Sequence, residues 1–180
     1  MQISLIVPLE EKEGAIQELS RYVNGCAASP CVKEIIFIRT NGGHALPPYL
    51  GNAPKVKTLL FSGTTKADCL EAGAFEATGD ILFFLKPGNF PGPQFDQLIL
   101  ASLQNNTKAG VLVQPDRGSL WRKIMAKLPL RCALCFITVN NFFTSRQAFH
   151  LRSRQDTTRK YGTFRQVLHQ YAVSFRATLV

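Results

Sequence analysis

The chain of 180 residues has the length of one domain, and its apolar content of 46% is enough to bury a sizeable core. A charged content of 18% excludes an intrinsically disordered protein, and no apolar run is long enough to span a bilayer. Because no charged leader or cleavage site surrounds the apolar residues 2–7, we expect a strand there and a cytoplasmic protein.

Positive charge is concentrated in the last third of the chain. Residues 1–116 hold nine Lys and Arg against eleven Asp and Glu, a net charge of −2. Residues 117–180 hold twelve Lys and Arg against a single acid, Asp156, a net charge of +11. Such asymmetry indicates an acidic partner, such as phosphate groups, anionic lipid or nucleic acid. A solvated basic face is the alternative.

Three strands are predicted in the first part of the chain. They are Gln2–Val7, which Pro8 ends, Val32–Ile38 and Lys55–Phe61. Glu10, Glu11 and Glu13 would place negative charge in the first turn of a helix after the first strand. Residues 39–54 are rich in Gly and Pro, so we expect an irregular connection there and no regular helix.

A helix followed by a buried strand is predicted over residues 66–89. One face of the helix carries Gly73, which would allow close packing, together with Ala67, Leu70, Ala74 and Ala77. Gly79 is predicted as the glycine that caps the helix at its carboxyl end. Ile81–Leu85 is an unbroken apolar run, typical of a strand buried on both faces of a sheet, and Lys86–Asn89 has turn composition. In open α/β sheets the carboxyl end of such a strand is where ligands bind.

The rest of the chain predicts three helices and two strands. The helices are Pro91–Gln104, Gly118–Leu128 and Thr158–Gln170, and the strands are Ala109–Val113 and Phe136–Thr144. Residues 118–128 form a basic amphipathic pattern with Trp121 on its apolar stripe. Such a helix lies in an anionic membrane interface or packs onto its own domain with its lysines outward, and the pattern leaves both open.

The five cysteines have two interpretations. Cys132 and Cys135 have the spacing of a metal or redox pair, and Cys26 and Cys31 would complete a four-thiolate zinc site. Free cysteines also pack as small hydrophobic residues, and Cys135 leads into an apolar run. Reduced thiols are expected in a cytoplasmic protein.

Several segments, in the same order, resemble the family-two glycosyltransferases of the GT-A fold. Residues 72–85, which read A-G-A-F-E-A-T-G-D-I-L-F-F-L, are similar to the middle of that family. Residues 3–11 resemble its first strand with the proline and the Asn-Glu pair that follow, a pair that reads Glu10-Glu11 here. Residues 34–38 resemble its second strand, and residues 141–149 its later strand and helix start. The resemblance implies an α/β fold, a Rossmann-like three-layer sandwich with a mostly parallel central sheet.

The same resemblance implies a single GT-A-like domain over residues 1–180. Residues 1–116 would be a nucleotide-binding-like half, and residues 117–180 a basic acceptor-side half. The implied nucleotide-binding positions are Pro8, Glu11, Arg39, Lys66, Lys86 and Asn89. Lys66 would lie by the diphosphate, and Arg39 stands where the family has an aspartate that contacts the nucleoside. Helix-end charge is the alternative role of Glu11, and exposure at loop ends is the alternative for the two lysines.

The residues that carry the chemistry of the family differ in this chain. The family has an Asp-x-Asp-like motif that holds a divalent metal, whereas the corresponding residues 86–88 are Lys, Pro and Gly, so the usual metal is not expected. A Lys86 ammonium would replace the charge of the cation but not its coordination geometry. Glu71 stands where the family has an asparagine. The catalytic aspartate should fall near residues 160–161, where no acid occurs, so Asp156 is the candidate base, or else the N-cap of the closing helix.

Three functions are consistent with these features. The first is metal-independent transfer of a sugar from a nucleotide-sugar donor. The second is a catalytically inactive glycosyltransferase-like binding or partner module, a pseudoenzyme, held at an anionic membrane surface by residues 118–128. The third is a basic surface binder of membrane or nucleic acid, although the lack of a known nucleic-acid-binding motif argues against nucleic acid.

Overall fold

A mixed β-sheet is the centre of the molecule. The computed structural model describes residues 1–9, 20, 23–40, 46–62, 66–85, 91–92, 94–104, 109–113, 141–155 and 178–179. Within these ranges the strands are β1 Ile3–Pro8, β2 Val32–Thr40, β3 Val56–Phe61, β4 Ile81–Phe84, β5 Ala109–Val113, β6 Phe142–Ser145 and β7 Thr178–Leu179. The helices there are α1 at residues 23–27, α2 Pro48–Gly51, α3 Lys66–Glu76, α4 Phe95–Gln104 and α5 Arg146–Gln155.

The strands follow the order β3-β2-β1-β4-β6-β5-β7. β1 pairs in parallel with β2 and β4, and β2 pairs in parallel with β3. β6 is antiparallel to both of its neighbours, β4 and β5. The carboxyl ends of β1 to β4 therefore lie at one edge of the sheet, and β6 begins at that same edge.

Apolar clusters cover both faces of the sheet, which gives three layers. On one face, Leu5 and Val7 of β1 belong to a cluster that includes residues of α1 and α4. On the other face, Ile6 belongs to a cluster that includes Leu70, Ala74 and other residues of α3, with Phe149 of α5. The predicted α/β sandwich with a mostly parallel sheet is confirmed.

β4 confirms the prediction of a strand buried on both faces. Its four residues are each at most 1% exposed, with Ile81 and Phe83 in one cluster and Leu82 and Phe84 in the other. Burial of each such side chain contributes about 1.5–3 kcal/mol. The β4 run is thus central to the stability of the sheet.

Two glycines allow close approach between elements. A Cβ at Gly73 would lie 2.4 Å from Ile38 Cδ1, so the predicted close packing of this helix is confirmed. The predicted role of Gly79 as a helix cap is wrong, because α3 ends at Glu76 and Gly79 does not have a positive φ. A Cβ at Gly79 would instead lie 2.8 Å from the backbone nitrogen of Ser4, so Gly79 is needed because the chain passes against β1.

A buried carboxylate joins three elements at the amino edge of the sheet. Glu34 Oε1 accepts hydrogen bonds from Ser4 Oγ at 2.7 Å, Thr78 N at 2.6 Å and Thr78 Oγ1 at 2.8 Å. Lys57 Nζ lies 2.5 Å from Glu34 Oε2. Burial alone would raise the pKa of Glu34, but the contact with Lys57 and the hydrogen bonds from Ser4 and Thr78 lower it to about 2.

The remaining elements agree with the predictions in part. β2 continues to Thr40, and the Gly- and Pro-rich connection contains one helical turn, α2, with a proline in its first turn, while residues 41–45 lie outside the described part. The strand predicted at Phe136–Thr144 is described from Phe142 and continues to Ser145. The predicted helices at Gly118–Leu128 and Thr158–Gln170 lie outside the described residues. Among the described helices, none has the length and apolar character needed to traverse a bilayer.

Candidate functional site

The carboxyl edge of the sheet is formed by the ends of β1, β2 and β4. Pro8 at the end of β1 pairs with Ile38, so β2 extends two residues farther than β1. Leu9 N donates a hydrogen bond to Ile38 O at 2.8 Å, which holds the departing chain against β2. Beyond β4, Leu85 N donates to Ile6 O at 2.9 Å and the residue is 2% exposed. The sheet is therefore well fixed up to the point where ligands bind in such folds.

Pro8 and Arg39 are neighbours at this edge. Pro8 is buried as the last residue of β1, and Arg39 is half-buried and pairs with Leu60 of β3. Residues alternate between faces along a strand, so Arg39 lies on the face that carries Phe37, opposite the face covered by α3. The sequence predicted that the second strand ends at Ile38, just before Arg39, whereas β2 includes Arg39 and continues to Thr40. The structure adds that Arg39 lies on the face of the sheet opposite α3.

Lys66 is the first residue of α3, and the helix begins at the same edge. β3 ends at Phe61 on the carboxyl side of the sheet, and α3 starts five residues later. The backbone N–H groups of a helix start favour anions such as phosphate. Asp68, in the first turn, adds a negative charge that opposes a bound anion. The start of α3 therefore combines features that attract and repel a diphosphate.

Glu71, on α3 near this edge, has a perturbed pKa. It is half-buried on α3, three residues after Asp68, so the two carboxylates are neighbours on the helix surface. Burial raises the pKa of Glu71, and the negative charge of Asp68 raises it further. Glu71 stands where the resembled family has an asparagine, and that replacement was the signal in the sequence that could have identified it.

Asn141 lies at the same edge and was not predicted as a site residue. It precedes β6, where Phe142 pairs with Phe84 at the end of β4. The residue is 5% exposed, and its backbone has a φ of 63°. Its Oδ1 atom accepts no hydrogen bond from the described residues. Asparagine is one of the few residues that tolerate this left-handed conformation, so an asparagine just before a predicted strand was a weak indication of an unusual backbone position.

The other predicted site residues lie outside the described part of the chain. These residues are Glu11, Lys86, Asn89 and Asp156. The structure describes the backbone of Lys66 but gives no placement for its side chain. It therefore brings Pro8, Arg39 and the start of α3 to one edge and does not address the others.

The described donor atoms at this edge, and the three residues that follow Leu85 in the sequence, do not suit a divalent metal. The residues that directly follow Leu85 are Lys, Pro and Gly, and an ammonium group is not a ligand for Mg²⁺ or Mn²⁺. Within the described ranges no group of three or more His, Cys, Asp or Glu side chains is placed to hold a metal. The residues present do not fit the metal that the family resemblance implies.

The cysteines described by the structure are Cys26, Cys31 and Cys69, and none of these three forms a disulfide. Cys26 is fully buried in the apolar cluster that includes α1. Burial raises the pKa of its thiol to about 12, with a smaller contribution from Asp96, so the thiol stays protonated at neutral pH. Cys132 and Cys135, which would complete the predicted zinc site, lie outside the described residues.

Comparison with solved structures identifies several with the same fold. Glucosyl-3-phosphoglycerate synthase from Mycobacterium tuberculosis, in complex with Mn²⁺, UDP and glucosyl-3-phosphoglycerate, is similar with a TM-score of 0.56 and 16% identity, over 81% of this chain and 57% of its own. S. aureus TarS in complex with UDP-GlcNAc is similar with a TM-score of 0.63 and 11% identity, over 100% of this chain and 56% of its own. The mannosyltransferase PcManGT from Pyrobaculum calidifontis, in complex with GDP-Man and Mn²⁺, is similar with a TM-score of 0.65 and 14% identity, over 99% of this chain and 54% of its own.

Similarity to known proteins is found in the structure and not in the sequence. No protein-family model matches the chain, and no curated protein matches it. The chain spans a little over half the length of the three solved structures. At these low identities the similarity establishes the fold. The chain has the α/β fold of the GT-A-type glycosyltransferases.

Proposed function

We propose that this chain is a glycosyltransferase-like protein that binds a nucleotide-sugar donor at the carboxyl edge of its sheet, without a divalent metal. The observation that carries the proposal is the position of Arg39, a permanent positive charge beside the end of β1 in a GT-A-type fold. Support also comes from the solved structures of the same fold, whose bound ligands include UDP, UDP-GlcNAc and GDP-Man. Their shared ligand chemistry is a nucleoside diphosphate.

Positive side chains would supply the charge that a metal supplies elsewhere. The guanidinium of Arg39 offers a planar set of donors that suits phosphate oxygens. The start of α3 adds backbone N–H groups, and Lys66 and Lys86 are the further candidates for contact with the diphosphate. The carboxyl groups of Asp68 and Glu71 weaken the attraction between the start of α3 and a bound anion. We therefore propose that Arg39 and the lysines, more than the helix start, determine affinity.

Sugar transfer would use the same charges in the transition state. The bond between the anomeric carbon and the diphosphate oxygen breaks, and the diphosphate leaves with the electron pair. The acceptor hydroxyl forms the new glycosidic bond and loses its proton to a base, for which Asp156 is the candidate. Positive groups that contact the leaving oxygens stabilise this step, because negative charge develops there.

Binding without transfer is the second candidate function. The sequence favours it because residues 117–180 hold only one acid, Asp156, and therefore only one carboxylate that could act as the catalytic base there. In that case the donor site would serve as a ligand-binding or partner module. The basic segment 118–128 would then hold the protein at an anionic membrane surface.

The test is a set of charge-removing variants that keep the side-chain stem. Arg39→Met, Lys66→Met and Lys86→Met are compared with Lys33→Met by calorimetric titration with UDP and GDP. Lys33 is exposed at the opposite, amino edge of the sheet, where it donates to Thr78 O at 3.3 Å, so it is the matched control. We expect each of the three variants to weaken binding by about tenfold and the control to bind like the wild type.

Three outcomes decide between the candidate functions. Equal affinities for wild type, the three variants and the control would contradict a site at the carboxyl edge. Release of sugar from UDP-glucose or GDP-mannose by the wild type would establish catalysis. Binding of the nucleotide without any release in the presence of acceptor sugars would favour the inactive module.

A further inference from the structure

We infer that Asn141 contacts the sugar of the bound donor, through a hydrogen bond that its side-chain carbonyl accepts from a sugar hydroxyl. This inference rests on the proposed function and adds a residue that determines how the sugar part is recognised. It is carried by the burial, the register and the hydrogen-bonding state of Asn141.

Asn141 occupies the position next to the end of β4. In the antiparallel register Phe142 pairs with Phe84, so the preceding residue lies beside Leu85. Phe142 also pairs with Val111 of β5, so Asn141 lies between β4 and β5 at the point where β6 begins. This position belongs to the carboxyl edge at which the donor is proposed to bind.

The side chain of Asn141 is buried with an acceptor atom unused. The residue is 5% exposed, and Oδ1 has no hydrogen bond within the described part of the structure. Buried polar atoms without a partner are uncommon in native proteins, and each one requires a reason. A ligand that supplies the missing hydrogen is such a reason at the edge of a ligand-binding fold.

The chemistry of the unused atom selects the part of the donor. Oδ1 is an acceptor only, so it needs a group that carries a hydrogen. The oxygens of an ionised diphosphate carry no hydrogen and would be repelled by it. The hydroxyls of the transferred sugar and of the ribose meet this need, and the diphosphate does not. A nucleoside diphosphate keeps the ribose, so only a contact with the transferred sugar makes the nucleotide sugar bind differently from the diphosphate.

The left-handed backbone offers a competing explanation for the asparagine. With a φ of 63°, position 141 favours Gly, Asn or Asp for conformational reasons alone. In that case the side chain would be incidental, and a bound water would satisfy Oδ1. Substitutions at this position separate the two explanations because Gly and Asp both tolerate the backbone.

The test compares two ligands on three proteins. The wild type is first titrated with UDP and with GDP, and the nucleotide that it binds more tightly is chosen. Wild type, Asn141→Gly and Asn141→Asp are then titrated with that diphosphate and with its nucleotide sugar, UDP-glucose or GDP-mannose. The measured quantity is the ratio of the Kd for the nucleotide sugar to the Kd for the nucleoside diphosphate. Thermal unfolding of each variant confirms that it is folded.

We expect Asn141→Gly to raise this ratio about tenfold with little change in the Kd for the diphosphate itself. Asn141→Asp keeps an acceptor oxygen, so we expect its ratio to stay near that of the wild type. An unchanged ratio in Asn141→Gly, or equal weakening of both ligands, would overturn the inference while leaving the proposed function in place. A wild type that binds none of the four ligands would overturn both.

Discussion

The buried carboxylate of Glu34 gives a stability prediction that follows directly from its contacts. Its side chain is 3% exposed and accepts three hydrogen bonds through Oε1, while Lys57 contacts Oε2. The pKa of Glu34 falls from 4.5 to about 2 in the folded protein, which corresponds to about 3 kcal/mol of stability. Because the folded pKa is lowered, this stability is present above pH 4.5 and is lost as the pH falls to about 2.

Glu34→Gln is the substitution that isolates this effect. Gln keeps the size and one acceptor oxygen, so Ser4 and Thr78 retain a partner, but its amide group meets the Lys57 ammonium as a second donor. We expect the variant to be less stable than wild type at pH 7 by about 2–3 kcal/mol. We expect the difference to shrink towards zero by pH 2, where the wild-type carboxylate becomes protonated.

Urea unfolding between pH 2 and pH 7 at constant ionic strength measures the difference. Glu76→Gln, at the exposed end of α3, is the control, and we expect it to follow the wild-type pH dependence. Lys57 is 57% exposed, so high salt should reduce the wild-type advantage in part and not abolish it. Parallel pH curves for wild type and Glu34→Gln would refute the assigned role of Glu34.

The remaining predictions concern two glycines and one carboxyl group. A Cβ at Gly79 would lie 2.6 Å from Ser4 Oγ and 2.8 Å from Ser4 N, so Gly79→Ala should lower the free energy of unfolding by about 1–3 kcal/mol or more. A Cβ at Gly73 would meet side-chain atoms of Ile38 and Ile6 and no backbone atom, so urea unfolding of Gly73→Ala should show a smaller loss of stability. The opposite order would contradict the packing described. Because the folded pKa of Glu71 is raised, its ionisation removes stability as the pH rises, so Glu71→Gln should be more stable than wild type at pH 7 and no more stable at low pH. Thermal unfolding at both pH values checks this, and a less stable variant at pH 7 would show that the ionised form of Glu71 is needed.

The features that the sequence could predict are those that depend on neighbouring residues. The apolar run Ile81–Leu85 identified the doubly buried strand, since only a central strand needs apolar side chains on both faces. Gly73 was recognised because a glycine on the apolar face of a helix indicates close packing. The carboxyl end of this strand then indicated the position of the candidate site.

The features that the sequence could not predict depend on partners distant in the chain. Glu34 is held by residues 30 and 44 positions away, and its role depends on the register of β1 and β2. Gly79 was assigned to the nearest helix end, because its contact with β1 appears only after the strands are paired. Asn141 reaches the site through the antiparallel pairing of β6, a direction that no local pattern shows.

We propose that this GT-A-type fold binds a nucleotide through positive side chains and without a metal. The most direct measurement is calorimetric titration of the wild-type protein with uridine, guanosine and thymidine diphosphates, each with Mn²⁺ and with chelator. We expect at least one diphosphate to bind with the same affinity in both conditions, because no metal takes part in the proposed site. Binding that requires Mn²⁺, or no binding of any diphosphate, would contradict it.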